Sequence, residues 1–484
     1  MVQPRAGVPG VNRKQQLLKR HRRNKRMGLL LGLLLLVVVG VLVAWWLPLL
    51  LAVVAWVAHE AWFADHLFYS PASDYDYRID ADERHALTLN QGRLSLPSGC
   101  QLQAGDTLVL KVSLRAGFLG RFLDPAVKIR GDEEDCQAFE RGVAGVRYLN
   151  LTGQHLALNE GRLWLGGQHC RLDDQTELFV CRHPDYLAGP LLVIAPHADD
   201  AELAAFATYG EARESWIVTL TAGEIETEHY RAMGLDPVAA ARLKGQLRAW
   251  DSISVPLWAG VPQERCVQLG YFCLQLPAMK AEPEKAVGSR EADLLDTRLF
   301  RRFNNLSLTS DADGTPSWRN LIQDLCELIE RIRPLTIVLP EPLLDPHPDH
   351  ICARDALIEA LTRTDWQPRW LLHYANHLHD NDRWPMGNAG SGVALPPHFD
   401  GEAPMRPWTH AVTSQQQWQK AMSLGMMHDL QPSPPFKRRL RRLFQHCLAA
   451  RRWPAFGENE FFRKAVRRHE LFWVKATADK REQR

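Results

Sequence analysis

The sequence predicts an α/β protein: a doubly wound, parallel catalytic sheet, preceded by a transmembrane anchor and an antiparallel β-sandwich. Three observations carry this. Leu191-Leu192-Val193-Ile194-Ala195 is an unbroken apolar run that empties into Pro196-His197-Ala198-Asp199-Asp200. Leu335-Thr336-Ile337-Val338-Leu339 empties in the same way into Asp345-Pro346-His347-Pro348-Asp349-His350. Short continuous apolar runs read as parallel strands buried on both faces, and open α/β sheets place their ligands at the carboxyl ends of such strands. Finally, Gly28 to Ala58 holds no charged residue, a stretch longer than the roughly 20 residues a membrane-crossing helix needs.

In chain order, residues 1–27 form a basic tail with nine Lys or Arg and no acid. The positive-inside rule keeps such a tail in the cytoplasm. Residues 28–58 are the transmembrane segment, too long for the apolar region of a cleaved signal peptide and with Trp56 where cleavage would need a small residue. A connector over 59–75 carries Trp62, Phe63, Phe68 and Tyr69, suited to an interfacial belt. His59, Glu60 and the lack of Lys or Arg between Arg26 and Arg78 favour a single crossing of the cytoplasmic membrane, with an extracytoplasmic catalytic domain. A hairpin broken at Trp45-Trp46-Leu47-Pro48 is the alternative, and it would return the body to the tail's side.

Residues 76–185 are expected to form the β-sandwich, a spacer or a glycan-binding module. Alternating runs such as Thr107-Leu108-Val109-Leu110-Lys111-Val112 and Val146-Arg147-Tyr148-Leu149-Asn150-Leu151 are separated by turn signals such as Pro97-Ser98-Gly99. Cys100, Cys136, Cys170 and Cys181 fall here, and Cys266 and Cys273 form another close pair. Disulfides among them would suit an exported domain, with buried free thiols as the alternative.

Strand and helix then alternate through the catalytic domain, 189–380. Ala201-Glu202-Leu203-Ala204-Ala205-Phe206 looks helical, followed by a strand at Trp216–Leu220, helices near 237–250 and 318–331, and a strand at Trp370–Tyr374. Residues 257–317 read as a long insertion suited to a lid. Residues 381–484 are a C-terminal extension that opens on a Gly/Pro-rich loop to about 407. It includes a basic amphipathic helix in which Phe436, Leu440, Leu443, Phe444, Cys447 and Leu448 share one stripe and Lys437, Arg438, Arg439, Arg441 and Arg442 fill the rest. The last 48 residues carry fifteen basic side chains against five acidic, leaving 34 basic against 51 acidic over 28–436. A body of net charge −17 excludes nucleic acid as its partner.

A His and an Asp three residues apart, joined by a distant His, make a three-donor site of nitrogen and oxygen ligands: His197, Asp200 and His350. Catalytic zinc is held that way, with a position left open for a water whose pKa the metal lowers; two His and a carboxylate also suit Fe2+. Asp199 is then the general base, and His347 stabilises the oxyanion or protonates the leaving amine, with Asp349 orienting its ring. No G-x-S-x-G, Walker loop or G-x-G-x-x-G occurs, so serine hydrolase, NTPase and dinucleotide chemistries lack their motifs.

At these residues the sequence resembles the LmbE-like, or PIG-L, deacetylases, zinc enzymes of Rossmann-like fold that remove the acetyl group from N-acetylglucosamine units. Pro196-His197-Ala198-Asp199-Asp200 is similar to the family's A-H-P-D-D-E motif, and His347-Pro348-Asp349-His350 matches its H-P-D-H. Ala198 replaces the usual Pro, and Glu202 falls one place late. The resemblance implies the same ligands, Asp199 as base and His347 as transition-state stabiliser. Thr221-Ala222-Gly223-Glu224 is similar to the family's T-x-G-E turn, and Arg242 looks like a position used to hold substrate. The function implied is a membrane-anchored zinc de-N-acetylase acting on an amino-sugar glycan or glycolipid of the cell envelope, such as lipopolysaccharide. The alternatives are an amidase on another N-acyl group and a glycan-binding envelope protein with a vestigial site.

Overall fold

The computed structural model describes residues 9–378 and 380–477. The first eight residues of the basic tail and residues 478–484 of the basic C-terminus lie outside the described residues.

The apolar segment is not one continuous helix. Helix α1 covers Pro9–Leu42, the chain breaks over 43–46, and α2 covers Leu47–Ala58 with Pro48 in its first turn. Lys25 Nζ lies 3.4 Å from His59 Nε2, whereas 34 residues of continuous helix would separate them by about 51 Å. The two helices therefore run back along each other. Gly40 lets them meet, since a Cβ there would come within 2.9 Å of Pro48 Cγ. The two helices thus form a helical hairpin, of which Arg22–Leu42 is, among the described residues, the stretch long and apolar enough to cross a membrane. Its break falls just before Pro48, which has no amide to offer and is accommodated in the first turn of α2. Protein does not cover its apolar side chains: Leu30 is 68% exposed and Trp45 87%.

The antiparallel domain follows. Its strands are β2 (Glu83–Asn90), β3 (Arg93–Leu94), β4 (Thr107–Ala116), β5 (Ala126–Arg130), β6 (Asp135–Ala138), β7 (Ala144–Asn150), β8 (Trp164–Gln168), β9 (Cys170–Leu172) and β10 (Gln175–Cys181). They form one hydrogen-bonded sheet in the order β6-β5-β8-β3-β2-β10-β4-β7, with β9 on β4. The sheet is folded over a single core, because Val127, Ile129 and Leu165 from one end pack with Leu108, Leu110 and Leu149 from the other. All nine cysteines are free, the second of the two expectations for them.

The second sheet positions the site. Strands β11 (Pro190–Ala195), β12 (Glu214–Thr221), β13 (Cys266–Tyr271), β14 (Thr336–Pro340) and β15 (Trp370–Tyr374) are parallel in the spatial order β13-β12-β11-β14-β15. That order reverses between β11 and β14, the topological switch point at which doubly wound sheets bind ligands. Alternate residues of β11 serve opposite faces. Leu192 and Ile194 pack under the helices Trp318–Ile332 and Pro348–Arg363, while Leu191, Val193 and Ala195 pack under Asp200–Glu211 and the end of Pro237–Ser254.

Two expected boundaries give way. The stretch 257–317 is not wholly an insertion, because it contains the edge strand β13. The region after 380 is not an appendage either. Strands β16 (Pro404–Ala411) and β17 (His469–Ala476) extend the sheet beyond β15, β17 antiparallel to both neighbours, and β1 (Arg78–Ile79) adds to β16. An apolar cluster containing Tyr77, Val109, Tyr148, Phe179, Met405 and Trp473 seals the two sheets together.

Candidate metal centre

The two motifs arrive at neighbouring strand ends. Past β11 the chain turns through His197, and Asp199 and Asp200 open the helix 200–211. Past β14, His347 precedes the helix 348–363, whose first position is Pro348, so Asp349 and His350 occupy its first turn. Proline suits that position because the first-turn amide has no partner to lose.

Three donors converge there. Asp200 Oδ2 lies 3.1 Å from His197 Nδ1 and 3.1 Å from His350 Nε2, and the two nitrogens are 3.3 Å apart. A tetrahedral ion holding N and O ligands at about 2.0–2.1 Å sets its donors about 3.3 Å apart. The triangle therefore has the size and donor chemistry of three ligands around one small cation. His350 and Asp200 are fully buried. Asn376 fixes the second Asp200 oxygen, donating to Oδ1 at 2.7 Å.

The outer partners tune these ligands. His350 Nδ1 sits 2.9 Å from Asp345 Oδ2. Burial pushes the pKa of His350 down, but Asp200 and Asp345 outweigh it and raise it to about 10. Burial also pushes the Asp200 carboxyl up, and His350 and His197 outweigh that, holding it well below the usual range.

Asp349 is not where the sequence placed it. Its Oδ2 lies 3.2 Å from His197 Nε2 and accepts the Leu274 amide at 2.7 Å, so it orients the ligand His197 rather than the ring of His347. His347 packs edge-on to His197, ring centroids 4.9 Å apart, with its Nδ1 buried and unpartnered. Burial, then His197 and His350, push its pKa down to about 3, so the ring is neutral.

Asp199 lies beside the triangle. Arg248 Nη2 donates to its Oδ1 at 3.1 Å, and Arg248 also pairs with Asp429, whose other oxygen takes Lys244 at 2.9 Å. Asp429 comes from the region after 380. The turn Thr221–Glu224 makes room for this chain of charges: Gly223 has φ +65°, and a Cβ on it would run into the Arg248 side chain. Glu224 accepts the Cys273 amide at 3.1 Å and the Ser289 hydroxyl at 2.8 Å, tying down the loop that carries Leu274.

Arg242 is elsewhere. It donates to the carbonyls of Ala292 and Asp293 at 2.8 and 2.9 Å, and the arginine that reaches the site is Arg248, six residues on. Sequence reasoning also passed over Asn376, His377 and Asp429. His377, whose ring lies 5.2 Å from that of His350, stands three residues past β15 and had only that strand end as a signal. Asp345 stood in the second motif, but nothing local marked it as the partner of a residue five positions later.

Imidazole and carboxylate donors at the switch point of a mostly parallel sheet, with a further carboxylate beside them, make a candidate metal site of the kind hydrolase domains carry. Residues 192–361 match the model of the PIG-L family, described as GlcNAc-PI de-N-acetylase. This part of the chain is therefore a PIG-L, or LmbE-like, de-N-acetylase domain, and the deacetylases of that family are metal-dependent amide hydrolases. Among solved structures, the chain is similar to a deacetylase triple mutant of the teicoplanin biosynthetic pathway, with 15% identity over 60% of this chain and 99% of that one and a TM-score of 0.30. It is also similar to GalB, the 4-carboxy-2-hydroxymuconate hydratase of Pseudomonas putida KT2440, with 12% identity over 54% of this chain and 84% of that one and a TM-score of 0.30. No curated protein matches it.

Proposed function

We propose that this protein is a membrane-anchored de-N-acetylase that removes the acetyl group from N-acetylglucosamine units of a lipid-linked or envelope glycan. The donor triangle of His197, Asp200 and His350 carries the reading, because two imidazoles and a carboxylate 3.1–3.3 Å apart suit one zinc ion. A bound metal supplies Lewis acidity towards water and the amide carbonyl.

The remaining chemistry falls to the chain's own groups. Arg248 holds Asp199 through one oxygen, leaving Oδ2 to take a proton from water. Neutral His347 donates a hydrogen bond to the oxygen on which charge develops, and Asp349 keeps His197 in a single orientation through Nε2. Asp345 does the same for His350.

The hairpin supports the choice of a membrane-bound substrate, since tethering raises effective concentration towards lipid-linked molecules and little towards free sugars. A hairpin returns the body to the side of the basic tail, which the positive-inside rule keeps cytoplasmic. A single crossing by Arg22–Leu42, the stretch among the described residues long and apolar enough, would instead export the body, and protease access to sealed inverted vesicles decides which side carries the site. Mass spectrometry of a membrane-bound N-acetylglucosamine glycolipid, incubated with the zinc-loaded full chain, tests the reading. Loss of one acetyl group, abolished by chelation, is expected. An untouched glycolipid beside cleavage of a different N-acyl compound would assign the amidase alternative.

A further inference from the structure

The helix Phe436–Ala449 is turned inside out for a soluble body. The residues it buries are Gln445 and Ala449, while Phe436 is 78% exposed, Leu443 54% and Leu448 40%. Its apolar stripe is therefore not consumed by the core, and its basic side chains Lys437, Arg438 and Arg439 are exposed beside it.

What the helix does touch is the foot of the hairpin. Phe444 packs edge-on against Trp56, ring centroids 5.5 Å apart, and Arg441 Nε donates to the buried Glu60 at 2.5 Å. The neighbouring His59 is the residue that meets Lys25. Two basic helices about 400 residues apart in sequence thus lie at one level. Lys19, Arg20, Arg22, Arg23, Lys25 and Arg26, all exposed, flank one side of the hairpin foot, and the 436–449 helix flanks the other. A second apolar prong stands at the same foot: Trp62 donates to the Phe122 carbonyl at 3.1 Å, and Phe118 nearby is 76% exposed.

We infer that the 436–449 helix and the hairpin foot form one docking surface for an anionic bilayer. Phe436, Leu443 and Leu448 enter the headgroup boundary, and the flanking Lys and Arg pair with lipid phosphates. Exposed apolar and basic groups on one helix, continuous with an exposed apolar hairpin, match the chemistry of such a surface. The docking would hold the catalytic sheet at a set height above the membrane, since the same region after 380 also supplies β16, β17 and Asp429. The inference rests on the anchored reading proposed above.

Cys447 is a native probe, the only exposed thiol of the nine and one turn beyond Leu443. The full chain, labelled there with bimane, is reconstituted in vesicles of phosphatidylcholine alone or mixed with phosphatidylglycerol. In anionic vesicles the label should be quenched by lipid-attached nitroxide and shielded from aqueous iodide. Each basic residue near an anionic surface is worth about fivefold in partitioning, so the Lys437→Glu/Arg438→Glu variant should lower the docked-to-undocked ratio by about 30-fold or more, read as recovered iodide access. Circular dichroism of that variant confirms that its fold is intact. A label equally open to iodide in both vesicles overturns the docking surface while sparing the anchor. A chain that floats with neither vesicle overturns both.

Discussion

Asp345 Oδ2 lies 2.9 Å from His350 Nδ1 and accepts the backbone amides of Asn376 and His377 at 3.0 Å each. One buried carboxylate therefore ties the ligand to the strand end beyond β15. Outer partners of this kind are worth 10–100-fold in metal affinity. Asp345→Asn should weaken zinc by about that factor without unfolding the domain, as measured by competition with a chromophoric chelator.

Ligand and base should separate on mutation. His197→Ala and His350→Ala should lose the metal, whereas Asp199→Asn should retain it and lose roughly 10²–10⁴-fold in kcat, the usual contribution of a general base. Metal content and turnover of each purified variant decide this. Equal metal loss in all three would make Asp199 a ligand.

Metal binding should release a proton. His350, held protonated up to about 10 in the metal-free site, must give up its Nε2 proton to serve as a donor. Burial pushes His197 down too, and its partners outweigh that and raise it well above the usual range, so zinc affinity should rise by at least about tenfold per pH unit between pH 6 and 9. Isothermal titration in buffers of different ionisation enthalpy would count the proton released, and a value near zero would show that the nitrogen is already bare.

Arg248 and Arg242 should behave differently. Arg248→Met leaves Asp199 without its partner and Asp429 facing Lys244 alone, so kcat should fall by about tenfold or more with KM little changed. Arg242→Met removes two bonds to the 292–293 backbone. Its effect should appear as faster hydrogen exchange in that loop, with kcat nearly intact.

Away from the site, Asp124 receives Arg141 at 2.8 Å and both terminal nitrogens of Arg383, one at 3.1 Å. Burial pushes its carboxyl up, and the two guanidinium groups outweigh that and hold it far below the usual range. A depressed folded-state pKa stabilises above the unfolded value near 4 and loses that contribution as pH falls below it. Asp124→Asn should therefore cost about 3 kcal/mol at pH 7 and still most of that at pH 3, because the contribution drains away only as pH falls through the far lower folded-state value; denaturant titrations at the two pH values read it.

The sequence by itself determined the order of the parts and the chemistry of the centre. Continuous apolar runs at 191–195 and 335–339 could only be strands buried on both faces, and the polar residues after each had to sit at a strand end. Hence His197, Asp199, Asp200, His347 and His350 were legible, as were the apolar length of 28–58 and the antiparallel character of the next domain. Tertiary structure alone decided which side chains face each other. A strand end specifies where a residue emerges and not what arrives opposite it, so the contact of Asp349 with His197 and that of Arg248 with Asp199 could not be read from the sequence. The same holds for Asp429, brought in by the region after 380, whose strands β16 and β17 are too mixed in pattern to declare that they complete a sheet begun about 200 residues earlier. The hairpin too is a tertiary outcome: apolar length says that a segment can cross a membrane, and only the approach of Lys25 to His59 across the Gly40 and Pro48 contact shows that it turns back.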